Sequence, residues 1–194
     1  MNTPIEESLT LHSHAQALER QKADLPDTGR PFRLPDAAVV SRQISELGCF
    51  ISEMGDEFLF RATDQPAPEH SVRAASAFAD AAEHAGQAAS SLGMVAQQLA
   101  FFASTAGHRH HPEVRQARKD AAEVIDWAAE TAREELQQAV TVLRQTAAII
   151  SPPSVDLRQQ AALARSATAA SDGSGALPSP PSAASVAAPV RSQR

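Results

Sequence analysis

The chain has 194 residues, 43% of them hydrophobic but only 4% aromatic and none tyrosine, so its apolar content is mostly alanine. Alanine favours helix yet buries little area, which argues against a compact core of large side chains and for an elongated all-α protein making many short contacts. A net charge of −6 disfavours nucleic acid as a partner, because that affinity rests on clustered Lys and Arg, and a single cysteine, Cys49, rules out an internal disulfide.

Residues 1–35 show a weak helical pattern through Ile5, Leu9, Ala15 and Leu18. The pattern breaks at Leu25-Pro26-Asp27-Thr28-Gly29-Arg30-Pro31-Phe32-Arg33-Leu34-Pro35, where three prolines and a glycine end any helix. The expectation is a flexible N-terminal arm with a possible short helix. Acidic residues near the N-terminus and the lack of a continuous apolar run do not fit a secretory signal. Together with the lone cysteine they point to a cytoplasmic protein. Two lysines against fifteen arginines point to a GC-rich bacterial genome.

The domain proper is expected over residues 36–150 as three helices, 36–62, 69–106 and 112–150. Asp36 is the candidate N-cap of the first, and Val40, Ile44, Leu47, Ile51, Met54 and Phe58 recur at four-three spacing, with Val39, Phe50 and Leu59 widening the stripe. Pro66 and Pro68 separate it from the second helix, where Glu69 suits the positive end of the helix dipole.

That second helix carries the most regular feature of the chain, a small residue at every step of an alternating four-three spacing from Ala75 to Gly107. Beside this row runs another, through Phe78, Ala85, Leu92 and Leu99. Gly107 and Pro112 are placed as a helix C-cap and a helix start. The third helix then follows an apolar line from Val114 through Ala121, Ile125, Ala128, Leu136 and Leu143 to Ile150. Ser151-Pro152-Pro153 ends it, and residues 151–194 read as a disordered Ala/Ser/Pro-rich tail, apart from a possible short helix near 155–170.

Helices of 35 to 40 residues are on the order of 55 Å long at 1.5 Å per residue. Short connections make them antiparallel. The expected architecture is therefore an elongated antiparallel three-helix bundle built on a long Ala-rich hairpin, with disordered termini.

No charged residue occurs between Ala85 and Gly107, yet Gln87, Gln97, Gln98 and several Ser and Thr residues argue against a membrane span. The missing charges leave that half of the helix without an obvious wet strip. Another helix is expected to cover it, either the N-terminal arm or, preferably, a second copy of the chain. The interface residues nominated on this argument are Ala82, Gly86, Ala89, Gly93, Ala96 and Ala100.

Chemistry has no clear carrier. His108, His110 and His111 share a turn, with Glu113 near, but adjacent turn residues rarely converge on one metal ion, and His12 and His14 sit on the arm. Cys49 reads as a small buried hydrophobe, Trp127 as core edge unless its exposure marks a partner site, and Glu53, Asp56, Glu57, Glu134 and Glu135 as solubilising charge. Gly48 and Gly55 either mark another close crossing or are merely tolerated. No Glu-x-x-His pair, phosphate-cradling loop or nucleophile elbow occurs.

No catalytic, cofactor-binding or metal-binding residue is nominated, and no enzyme or cofactor is expected. The leading functional expectation is a helical protein–protein interaction or self-assembly module. The second is an amphipathic surface-binding protein at a lipid or polymer interface; in composition the chain is similar in broad character to phasins, which coat polymer granules.

Overall fold

A computed structural model describes residues 3–27, 29, 32–63 and 66–152, and the expected tail beyond Pro152 lies outside the described residues. Among the described residues there are four long helices, α1 Pro4–Ala23, α2 Ala37–Ala62, α3 Glu69–Ser104 and α4 Pro112–Ile150, with a 3-10 turn, Ala106–His108, between the last two.

Helix α1 corrects the expectation of a flexible arm. Thr3 and Glu6 form a capping box, the Thr3 amide donating to Glu6 Oε2 at 2.7 Å and the Glu6 amide to Thr3 Oγ1 at 3.3 Å. Pro4 starts the helix, Glu6 and Glu7 occupy its first turn and Arg20 and Lys22 its last, each on the end its charge suits. Its apolar stripe is weak in sequence, but Leu11, Ala15 and Leu18 are fully buried. Tertiary packing supplies what periodicity lacked, and the expected three-helix bundle is a bundle of four.

Side-chain pairs fix the directions. Glu7 meets Arg61 and Gln21 meets Glu46, so α1 and α2 run antiparallel. Ser8 bonds the Ala147 carbonyl and Lys22 bonds Gln137, which makes α1 and α4 antiparallel too. Glu7 with Ser71 and His14 with Phe78 set α1 parallel to α3. His84 with Glu135 then pairs α3 antiparallel to α4. The helices alternate up and down, as in short-loop bundles.

The core consists of Leu11, Leu18, Val40, Leu47, Met54, Phe78, Leu92, Val95, Ile125, Leu136, Val140 and Leu143, with alanines between them. On α3 the buried seam is Ala74, Phe78, Ala81, Ala85, Ala88, Leu92, Val95 and Leu99. It has the same four-three spacing as the small row but is offset by one residue. Spacing alone cannot choose between two such rows. The row that carries the large side chains takes the core, because burying them contributes more.

At the far end, α3 and α4 close on each other alone. Arg118 Nη1 donates to the Phe102 carbonyl at 2.8 Å and to Thr105 Oγ1 at 3.0 Å, with the guanidinium 4.4 Å from the Phe102 ring centroid. Thr105, not Gly107, is the C-cap of α3, and Gly107 lies in the 3-10 turn without a positive φ. Asp36 and Pro112 hold the positions expected of them. Among the described residues, no helix is long and apolar enough to cross a membrane.

Candidate interaction surface at one end of the bundle

One layer of the bundle is tied by charge. Arg61 reaches inward from the last turn of α2 and donates from Nε and Nη2, each at 2.7 Å, to Glu7 Oε2 on α1. The other oxygen of Glu7 accepts from Ser71 of α3 at 3.2 Å. Arg61 Nη1 bonds the backbone carbonyl of Glu57 at 2.8 Å and also its carboxylate, while the guanidinium carbon lies 4.7 Å from the Phe78 ring centroid. Both Glu7 and Arg61 side chains are 1% exposed. Such a pair is justified only when every donor and acceptor is matched, and here the partners come from three helices.

Around this sealed layer the surface is unusually apolar. Ile5 and Leu9 flank Glu7 on α1, Phe58, Leu59 and Phe60 precede Arg61 on α2, Val72 follows Ser71 on α3, and Ile149 lies two residues beyond Ala147 on α4. These are seven of the eleven large hydrophobics exposed among the described residues, from 41% for Phe58 to 65% for Ile5. Together they form an apolar collar at this end of the bundle.

Within the collar, α2 and α3 leave a groove of about 570 Å³ lined by Phe58, Arg61, Ala62, Pro66, Ala67, Val72, Ala75, Ser76 and Ala79. Its α3 wall is the beginning of the small row. Three and four residues at a time, the row continues to Ala82, Gly86, Ala89, Gly93, Ala96 and Ala100, all half-buried or exposed. A Cβ built on Gly86 or Gly93 meets nothing within 4 Å. Ala82, Ala89 and Ala96 pack against the core of the bundle, whereas Gly86 and Gly93 have open space above them, so the chain itself covers only the inner half of the row. The α1 helix does not cover this stretch; it packs beside the first turns of α3 and the last turns of α4. The outer strip there is Gln87, Ser90, Gly93, Gln97 and Ala100, exposed and neutral.

The remaining sequence candidates disperse. Cys49 is exposed rather than buried, because α2 turns its seam toward Leu47 and Met54 and leaves position 49 on the outer face. Trp127 is 60% exposed, on the outward face of α4. Gly48 and Gly55 have open space above them and mark no crossing within the chain. Glu57 and Glu135, expected as outer charge, are half-buried in pairs with Arg61 and His84.

His108, His110 and His111 are exposed in the turn at the opposite end, the rings of His108 and His111 6.0 Å apart. Among the described residues, no three His, Cys, Asp or Glu side chains are grouped to hold a metal ion. His14 lies on α1 with its ring against Phe78.

Sequence reasoning missed the collar. The signal was available in Phe58-Leu59-Phe60, three consecutive large apolar residues, of which a helix turning 100° per residue can bury no more than part. No protein-family model, no curated protein and no solved structure matches this chain.

Proposed function

We propose that this protein acts by association, as a helical interaction module, and that the apolar collar and the groove within it form the contact surface. The observation that carries this reading is the concentration of seven exposed large hydrophobics in the layer of Glu7, Arg61, Ser71 and Ala147. Scattered apolar residues on a surface need no explanation, whereas seven gathered at one end of a bundle call for one. The small row from Ala82 to Ala100 extends the same face, since glycine and alanine let another helix approach. Binding rather than catalysis is the role this surface suits, and a cytoplasmic setting is part of the proposal.

The test places a photoreactive amino acid at Leu59 and, as a control, at Lys119, exposed on α4 near the opposite end of the bundle. Light scattering is run in parallel on the purified chain up to high micromolar concentration. Adducts from position 59, either with a second copy or with a distinct protein, support the reading. A strict monomer that forms no adduct from position 59 overturns it.

A further inference from the structure

From the tip of the α3–α4 hairpin, at the end of the bundle away from the collar, we infer a second contact surface whose partner is a short acidic segment of another protein. Between Ala85 and Lys119 the chain has four bases, Arg109, Arg115, Arg118 and Lys119, against one acid, Glu113, although its net charge is −6. All five stand in the turn or at the start of α4. Arg118 is engaged by the Phe102 carbonyl and Thr105 Oγ1. Arg109, Arg115 and Lys119 are exposed, and among the described residues none of them is held in an ion pair.

The backbone holds these groups in a defined turn. The His108 amide donates to the Thr105 carbonyl at 3.1 Å, the His111 amide to the His108 carbonyl at 3.0 Å, and the Arg115 amide to the His111 carbonyl at 2.9 Å. His111, Arg115 and Lys119 then follow four residues apart, along one side of α4. Glu113 stands about 160° round the helix from Arg115, and Asp120 accepts from Gln116 Nε2 at 2.7 Å. Glu123, four residues beyond Lys119, ends the basic side.

Charge and length select the partner. Bases around His108, His110 and His111 repel a metal cation and attract an anion. The basic side is only about 12 Å long from His111 to Lys119. Nucleic-acid affinity grows with the number of phosphates neutralised, and so short a side reaches few of them. A lipid surface is held through inserted apolar side chains, yet among the described residues from Phe101 to Lys119 no large hydrophobic is exposed. Carboxylates one helical turn apart meet Arg115 and Lys119 in register, and a guanidinium takes a carboxylate through paired hydrogen bonds.

The experiment uses the full chain and two synthetic helical peptides, one with glutamates one turn apart and the other with glutamines in their place. Binding is followed by fluorescence anisotropy at low and raised salt, beside a short single-stranded DNA and vesicles of phosphatidylglycerol in phosphatidylcholine. The glutamate peptide is expected to bind about tenfold more tightly than the glutamine peptide, and to weaken as salt rises. Arg109→Glu with Arg115→Glu, both at exposed positions, is expected to lower that affinity about tenfold while the helical melting curve is kept. Arg20→Glu with Arg42→Glu makes the same change of net charge on α1 and α2, and is expected to change it by no more than about twofold, because distant charges are screened.

Equal binding of the two peptides, binding of neither, or an effect of the Arg20 and Arg42 pair as large as that of Arg109 and Arg115 overturns the inference. Tighter binding of the DNA or of the vesicles overturns it as well. The collar is judged on adducts from position 59, so failure at the tip leaves that reading in place.

Discussion

Arg61 and Glu7 meet in the interior through two hydrogen bonds to a single carboxylate oxygen, and the residues they join are 54 apart in sequence. Their partners, Ser71 and Glu57, leave neither ion alone. The pair holds α1 against α2 and α3 at the layer where the apolar collar emerges. Glu7→Ala or Arg61→Ala strands the opposite charge in the core, at a cost of about 3–5 kcal/mol. Replacing both, Glu7→Leu with Arg61→Met, is expected to cost clearly less than either alanine variant. Urea unfolding of the two single variants and the double variant checks this, and a double variant as unstable as the singles would contradict it.

The same pair explains what was hard to read in α2. Its inward line runs through Val40, Gln43, Leu47, Phe50, Met54, Glu57 and Arg61, at three-four spacing. Of these, Val40, Gln43, Leu47, Met54 and Arg61 are buried, and Phe50 and Glu57 are half-buried. Three of the seven are polar. A search for apolar periodicity therefore slides one residue over, to Ile44, Ile51 and Phe58, and assigns Phe58 to a core it only partly enters. Helix type and the Phe78-to-Leu99 seam were legible because large apolar residues marked them, and the antiparallel direction of α3 and α4 followed from their short connection. The buried charge layer was not, since a lone Glu and a lone Arg so far apart in sequence carry no local signature of pairing.

At the start of α1 the local signature was present. Thr3 and Glu6 stand three apart around Pro4, and the backbone amide of Thr3, followed by its hydroxyl, holds the Glu6 carboxyl below the usual glutamate range. A depressed folded pKa means the cap is intact above the ordinary glutamate pKa and is lost as pH falls through the lower folded value. Thr3→Ala is expected to weaken α1 by about 1 kcal/mol. Amide exchange should rise in the first turns of α1 and leave Leu92 and Leu136 unchanged. An NMR titration of Glu6 in the variant should return its midpoint toward the ordinary value.

Trp127 provides an independent reading of the α4 surface. With 60% of the residue exposed, its indole is expected to emit as a solvated fluorophore and to be quenched efficiently by iodide in the folded state. Trp127→Ala should change stability by no more than about 0.5 kcal/mol, as for surface positions outside caps and networks. Protection of Trp127 from iodide in the purified chain, relieved on dilution, would show that another copy covers this face.

Gly93 tests the small row itself. It lies within α3, nothing stands within 4 Å of where its Cβ would be, and it is exposed. Glycine inside a helix is destabilising relative to alanine because it loses more backbone freedom on folding. Within one chain, Gly93→Ala is therefore expected to raise stability by about 0.5–1 kcal/mol, and Gly93→Leu to be tolerated rather than to disrupt packing. If the row is instead an interface between molecules, the leucine variant loses association while the isolated bundle keeps its melting behaviour. Denaturation and light scattering on the same two variants separate these outcomes, because only contact with another chain makes bulk at position 93 unfavourable.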